Sequence, residues 1–305
     1  MTGPRRAVLP EDLDGVARLL GIVEMADGHH PIGEHQYLEL VAGSGGEVIG
    51  LLIEAEAGPV AYAGLTQAFE PSWWTLELAV DPAWRTPEVF GTLLEAAITE
   101  ATKLGGAFLR LWAFLPHLVD VALHKGFRPE RELRSLRKQL PLTEAAEVSW
   151  TDRFRPGQDE AEWLEVNNSA FVGHPENGNW TMKALGHRMQ QPWFDPDDII
   201  VARRSGRMIG FCWTKRESPE VGEIYVIAVA PPHQGQGLGK ALLMVGMAHL
   251  AEKGAQSVVL YVDSSNHRAL QLYDSVGFRL DHVDRSFVVD LVNRNGNHSS
   301  GSARR

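Results

Sequence analysis

The chain carries one pattern of residues twice, and a repeat of this length constrains it to two similar domains in tandem. Each copy has an apolar segment that ends near a proline, then a helical stretch, and then a Gly-Phe pair after a shorter helix. A length of 305 residues fits two domains of medium size. The matching segments are residues 78–82 with 227–231, Leu104-Gly105 with Lys253-Gly254, and residues 123–127 with 273–278.

The periodicity of apolar residues predicts the same order of elements in both copies. Hairpin strands followed by helices indicate an α+β fold, in which each domain has a mixed, mostly antiparallel sheet flanked by helices. In the first copy we expect an apolar segment at residues 48–53, strands at 59–67, 73–80, 107–112 and 131–140, and helices at 10–24, 87–104 and 117–124. In the second copy we expect strands at 148–154, 199–203, 207–215, 222–229, 257–262 and 279–291, and helices at 159–171, 182–189, 238–253 and 267–276.

The domain boundary is expected near residue 145, because residues 141–143 end a strand and residues 144–147 have the composition of a linker. The two domains would then cover residues 1–145 and 146–292. Residues 293–305 are rich in Asn, Ser and Gly, and we expect them to form a disordered tail.

Composition narrows the possible partners. A net charge of −10 argues against a surface for nucleic acid or anionic membrane. The sequence has no run of 18 apolar residues, so we expect no transmembrane helix. Cys212 is the only cysteine, which excludes an internal disulfide framework and suits a reducing cytosol. We therefore expect a cytoplasmic monomer that acts on small molecules.

A glycine-rich run, residues 234–239 (QGQGLG), lies between an apolar segment and a helical pattern. Glycines at alternate positions let a backbone approach a ligand closely. The free N–H groups and the dipole at the start of a helix attract an anion. The sequence therefore predicts a cradle for a diphosphate.

The spacing of this run distinguishes the known classes of diphosphate loop. A P-loop needs Ser or Thr after its lysine, but Lys240 is followed by Ala241. A dinucleotide loop needs Gly-x-Gly-x-x-Gly, which is absent, although Asp263 follows the next predicted strand as that class requires. The dinucleotide interpretation is thus weakened but open, as is a simple turn without a ligand.

The run Gln-x-x-Gly-x-Gly resembles the acetyl-CoA loop of the GNAT acetyltransferase superfamily, and Asn266, Tyr273 and Gly277-Phe278 follow it in that superfamily's order. The resemblance implies acetyl-CoA as co-substrate. It also implies three groups of cofactor-binding residues. They are Ile227, Ala228 and Val229; Gln234, Gly235, Gln236, Gly237, Leu238, Gly239 and Lys240; and Asn266, His267, Arg268, Ala269, Leu270 and Gln271.

Further segments narrow the resemblance to the mycothiol synthase family of tandem GNAT enzymes. They are residues 167–176, 178–180, 193–196, 210–215 and 222–226. The resemblance implies transfer of acetyl from acetyl-CoA to the cysteinyl amine of desacetylmycothiol, a cysteinyl-glucosaminyl-inositol, as the last step of mycothiol biosynthesis. Two alternatives stay open: acetylation of another amine, such as an aminoglycoside or a protein N-terminus, and a non-catalytic acyl-CoA sensor.

Two residues are candidates for proton transfer. An amine must lose its proton before it attacks a thioester, and Glu223 begins the strand that leads to the glycine-rich run, so it suits a general base. By resemblance, Tyr273 protonates the leaving thiolate. We expect the backbone N–H groups of Ile227 and Val229, where the strand would bulge, to hold the thioester carbonyl and the pantetheine.

The resemblance also implies a substrate pocket lined by Glu176, Lys215, Glu223 and Tyr261, with Glu34 contributed by the first domain. Such side chains supply the donors and acceptors that a polyhydroxylated ligand needs. We expect no metal site, since the histidines have no further ligands at suitable spacing.

The two copies differ at the diphosphate loop. The first copy has residues 85–90 (RTPEVF) at the aligned position, without a glycine. Pro87 lacks an N–H group, and Glu88 would repel a diphosphate. We expect the first domain to have a degenerate CoA loop, to bind acetyl-CoA poorly and to transfer no acetyl group.

Overall fold

The computed structural model describes residues 3–6, 12–41, 48–68, 70–140, 151–173 and 178–294. They divide into two compact units. The N unit comprises the described residues of Met1–Glu132 and those from Asp284 onward, and the C unit comprises those of Leu133–Val283. No helix among the described residues is long and apolar enough to span a membrane.

The N unit is a mixed sheet with helices packed against it. Its elements are β1 (Arg5–Arg6), α1 (Leu13–Asp27), α2 (Glu34–Val41), β2 (Val48–Ala55), β3 (Gly58–Gln67), β4 (Trp73–Val80), α3 (Pro87–Lys103), β5 (Phe108–Ala113) and α4 (Pro116–His124). Strands β1 to β5 lie in sequence order, with β4 and β5 parallel and the other neighbours antiparallel. The core on the α3 side includes Phe90, Leu93 and Leu111.

The C unit repeats this plan. Its elements are β6 (Arg128–Gln139), β7 (Thr151–Arg153), α5 (Glu160–Ala170), α6 (Met182–Met189), β8 (Ile199–Arg204), β9 (Arg207–Arg216), β10 (Val221–Val229), α7 (Leu238–Glu252), β11 (Ser257–Asp263), α8 (His267–Ser275) and β12 (Arg279–Asp290), of which β6 and β12 each extend into the N unit. The strand order is β6-β11-β10-β9-β8-β7, in which β10 and β11 are parallel and the other neighbours are antiparallel.

The sheet separates two apolar cores in the C unit. One core lies under α7 and α8 and includes Cys212, Leu242 and Tyr273. The other lies under α5 and α6 and includes Trp163 and Trp213.

The last strand of each sequence half has an unexpected partner. Residues 285–290 of β12 pair with β5 and so complete the sheet of the N unit. Residues 133–139 of β6 pair with β11 in the C unit. The sequence-based boundary near residue 145 stays a prediction, and residues 141–150 lie outside the described part.

Most predicted elements are confirmed to within a few residues, and β4 and α6 have the predicted bounds. Helix α2, which has eight residues, was not predicted. In the predicted tail, Asn293 donates a hydrogen bond to Asp290 (2.7 Å), and Arg294 donates one to Glu95 (3.0 Å). Residues 295–305 lie outside the described residues.

Candidate active site

A gap opens between β10 and β11 where these two parallel strands diverge. They pair only over Val221–Glu223 and Ser257–Val259, whereas β11 pairs with β6 along its whole length. Beyond Glu223 the backbone of β10 therefore has one edge that β11 does not occupy. We call this space the β10–β11 gap.

A β-bulge lies where the gap begins. Glu223 is opposite Lys215 on β9, but Val226 is opposite Trp213, so Tyr225 is one extra residue on β10. A bulge bends its strand and increases the local twist, which turns β10 away from β11. The expected position of the bulge, at Ile227 and Val229, is wrong. It lies at Tyr225, whose ring packs against Trp213 at a centroid distance of 5.2 Å.

The alternation of hydrogen bonds on β10 fixes which N–H groups face the gap. The N–H of Ala230 donates to the carbonyl of Ile209 on β9 (2.9 Å). In an antiparallel pair, every second residue forms backbone hydrogen bonds with the partner strand. The N–H group of Ala228 therefore also bonds to β9, whereas the N–H groups of Ile227 and Val229 point away from it. The Gln234 side chain donates to the Val229 carbonyl on that free edge (2.9 Å). The two N–H groups therefore face the gap.

The glycine-rich loop leads from this edge into α7. Gly235 and Gly237 have φ values of +77° and +83°, a left-handed conformation that favours glycine. Gly237 is the N-cap of α7, and within the described part of the chain no side chain caps this helix. Its first N–H groups thus remain available to an anion. The Arg268 guanidinium, 3.1 Å from the Gln234 side-chain oxygen, adds positive charge beside the loop.

The predicted run 266–271 forms the start of α8. Asn266 caps this helix by accepting a hydrogen bond from the N–H of Ala269 (3.1 Å). Ala269 and Leu270 pack against the core under α7, whereas Arg268 is exposed beside the loop. The structure thus places Arg268 beside the glycine-rich loop and gives Asn266 a structural role at the helix end.

Glu223 lies at the closed end of the gap and is 8% exposed. Lys215 is its direct partner on β9, so the two side chains share a face of the sheet. Val259 is its partner on β11, and Tyr261, two residues on, points to that face as well. Three predicted pocket residues therefore share one face. Glu34 begins α2 in the N unit, and Glu176 lies outside the described residues.

An aromatic group that sequence reasoning missed contacts Lys215 through two of its rings. It consists of Trp180, Trp193, Trp213 and Tyr225, with neighbouring ring centroids 5.2 to 6.5 Å apart. The Lys215 ammonium lies 4.6 Å from the Trp193 ring and 5.2 Å from the Tyr225 ring. Cation–π contacts of this kind hold the lysine side chain. The unusual density of Trp in residues 180–213 was the only available signal.

Tyr273 lies on the opposite side of the sheet from Glu223, in the core under α7 that also contains Ile227 and Val229. Burial raises the pKa of its phenol well above the usual value, so the phenol keeps its proton at neutral pH and can donate it. Burial also raises the pKa of the Cys212 thiol to about 12, which makes that thiol a neutral core group.

The same position in the N unit is closed. Arg85 donates to the Val80 carbonyl (3.0 Å), as Gln234 does to Val229, and its two terminal nitrogens bind the Asp27 carboxylate (2.7 Å each). The Thr86 hydroxyl caps α3. A void lined by Asp27, Arg85, Trp112 and Phe114 among others has about 20 Å³, which is room for one water molecule.

The described residues contain no group of three or more His, Cys, Asp or Glu side chains arranged to hold a metal ion.

The fold matches solved acetyltransferases. A GCN5-related N-acetyltransferase from Sphaerobacter thermophilus aligns with a TM-score of 0.67 and 23% identity over 94% of this chain and 96% of that one. A tandem GNAT protein from the clavulanic acid biosynthesis pathway aligns with a TM-score of 0.70 and 13% identity over 94% and 98%. Residues 148–278 match the acetyltransferase (GNAT) family. Fold and site thus define an acetyltransferase of the GNAT class with two tandem α+β domains, as predicted.

Relatives of similar length narrow the class. The mycothiol acetyltransferase of Acidimicrobium ferrooxidans is 37% identical over 92% of this chain and 94% of its own. The mycothiol acetyltransferase of Streptomyces coelicolor is 38% identical over 92% and 93%. The chain belongs to the mycothiol acetyltransferase family, and the family predicted from its motifs is confirmed.

Proposed function

We propose that the C unit transfers acetyl from acetyl-CoA to the cysteinyl amine of desacetylmycothiol, with Glu223 as base and Tyr273 as acid. The β10–β11 gap is the observation that carries this proposal. It has a buried carboxylate at its closed end and an uncapped helix start beyond its open edge. The printed names of the relatives support the choice of mycothiol biosynthesis.

The residues of the gap suit acetyl-CoA. The N–H groups at the start of α7 and the Arg268 guanidinium would bind the diphosphate. The N–H groups of Ile227 and Val229 would bind the pantetheine and the thioester carbonyl, whose oxygen becomes negative in the transition state.

Glu223 and Tyr273 lie on opposite sides of the sheet, and each would carry out one kind of proton transfer. Glu223 accepts a proton from the substrate ammonium, and the neutral amine then attacks the thioester carbon. The C–N bond forms, and the nitrogen of the tetrahedral intermediate then loses its second proton to Glu223, which has passed the first one to solvent. The intermediate collapses and the C–S bond breaks. Tyr273 donates its proton to the leaving thiolate, and the amide product carries the acetyl group.

The face of the sheet that carries Glu223 would bind the amine substrate. Lys215 and Tyr261 on that face can donate hydrogen bonds to the hydroxyls of a sugar and an inositol. Roles for Glu34 and Glu176 remain predictions from family resemblance. We place the reaction in the cytoplasm, carried out by a monomer on small molecules.

Product analysis tests the proposal. The full chain is incubated with acetyl-CoA and cysteinyl-glucosaminyl-inositol, and mass spectrometry follows the mass gain of one acetyl group. A thiol-release assay with and without amine runs in parallel. Acetylation of an aminoglycoside or a peptide N-terminus in place of the cysteinyl amine would favour another GNAT activity, and acetyl-CoA binding without transfer would favour a sensor.

A further inference from the structure

Tyr225 occupies the position that decides where the β10–β11 gap begins. It is the extra residue of the bulge, and it lies two residues after Glu223. The parallel pairing of β10 with β11 ends at Glu223. Any shift of Tyr225 therefore shifts both the direction of the Glu223 side chain and the width of the gap.

The phenol oxygen of Tyr225 is held by a buried guanidinium. Nε of Arg188, on α6, donates a hydrogen bond to it (2.7 Å), and Arg188 is only 6% exposed. Nη1 of the same side chain donates to the carbonyl of Ala184 (3.1 Å). Because a buried cation is costly without partners, these bonds fix the rigid, planar guanidinium in one orientation.

A second layer fixes Arg188 in turn. Its guanidinium carbon lies 4.0 Å from the Trp180 ring, a close cation–π contact. Asn168 on α5 binds the backbone of Trp180 on both sides: its Oδ1 accepts from the N–H (3.0 Å) and its Nδ2 donates to the carbonyl (2.9 Å). A continuous chain of contacts thus runs from Asn168 through Trp180 and Arg188 to Tyr225.

We propose that Arg188 and Tyr225 are positioning residues for acetyl transfer, and that the Asn168–Trp180 contact supports them. The pair holds the bulge in β10 and so directs Glu223 at the amine. This inference rests on the proposed function, since the role is defined by Glu223. It also assigns a role to Asn168 and Trp180, which lie in sequence segments that neither the cofactor loop nor the general fold explains.

Tyr225→Phe in the full chain tests the pair, because it keeps the ring and removes the acceptor of Arg188. We expect kcat to fall about 10- to 100-fold, as for small misplacements of a catalytic group, while acetyl-CoA affinity by calorimetry stays within about twofold. Tyr62→Phe is the matched control. Tyr62 is a fully buried tyrosine of the N unit whose hydroxyl has no hydrogen-bond partner among the described residues, and this variant should keep wild-type kcat.

Arg188→Ala with added guanidinium separates positioning from folding. If Arg188 acts through its contacts, kcat should drop and millimolar guanidinium should restore part of it, with no such gain for the wild type. Wild-type kcat in Tyr225→Phe would overturn the inference. So would parallel loss of kcat, acetyl-CoA affinity and thermal midpoint without rescue.

The failure of the proposed function would look different. If the wild-type chain does not acetylate the cysteinyl amine, the substrate assignment is refuted. The Tyr225 and Arg188 variants can then be compared on whichever amine the wild type acetylates.

Discussion

Substitution of Gly237 by alanine should damage acetyl-CoA binding more than it damages folding. Gly237 has φ +83°, and a Cβ added there meets no atom of the described residues within 4 Å. The left-handed conformation costs a residue with a Cβ about 1–2 kcal/mol, so the free energy of unfolding should fall by that amount. The new Cβ lies at the N-cap of α7, beside the N–H groups that we propose bind the diphosphate. Loss of one charge-assisted hydrogen bond, about 1.5–3 kcal/mol, would raise the Kd about 10- to 100-fold.

Gly254→Ala provides the matched control. Gly254 follows the C-terminal end of α7 and has φ +92°. In the part of the chain that the structure describes, no atom lies within 4 Å of a Cβ added there either. Its strain, and therefore the loss in the free energy of unfolding, should be similar to that of Gly237→Ala, but the Kd should stay at the wild-type value. Denaturant unfolding and calorimetry with acetyl-CoA measure the two quantities. Equal Kd values for both variants would refute the assignment of the loop to the diphosphate.

Four further outcomes are expected. Glu223→Gln should lower kcat by about 10²-fold or more and leave acetyl-CoA affinity unchanged in calorimetry, since only the base is lost. Tyr273→Phe should lower kcat, because the ring remains but the proton donor is lost. An unchanged kcat would mean that Tyr273 only packs in the core. Calorimetry on the full chain should give one acetyl-CoA per chain because Arg85 closes the N unit, and two would contradict this. A hydrogen bond from the Lys253 ammonium lowers the pKa of the Asp195 carboxyl group below its ordinary value of about 4. The pair therefore stabilises the folded state fully at pH values above about 4, and this stabilisation is lost as the pH falls through the lowered pKa. Lys253→Met should therefore cost stability in denaturant unfolding at neutral pH, and the cost should shrink in acid.

The site could be predicted as far as it is local in sequence. The glycine-rich loop and the strand and helix beside it are consecutive, so the turn into α7 at Gly237 could be predicted from residue order. Glu223 was predicted as a base from its place at the start of the strand that leads to this loop, and Tyr273 was predicted by resemblance to the family. The bulge at Tyr225 could not be predicted, because contacts with Arg188 and Trp213 from other elements determine it.

The closure of the N unit was predicted only in outline. The absence of glycine at residues 85–90 indicated a weak site. The hydrogen bond between Arg85 and Asp27 joins residues 58 positions apart, and no local sequence pattern predicts such a pair.

The sequence by itself determined the tandem α+β plan, the family and the position of the glycine-rich loop, because periodicity and turn chemistry act between neighbouring residues. Only the tertiary structure decided which strand completes which sheet. Residues 285–290 pair with β5, and residues 133–139 pair with β11, although sequence order suggests the reverse. The backbone hydrogen bonds that join strands are the same for every residue, so a strand pattern predicts that a strand forms and leaves its partner to packing.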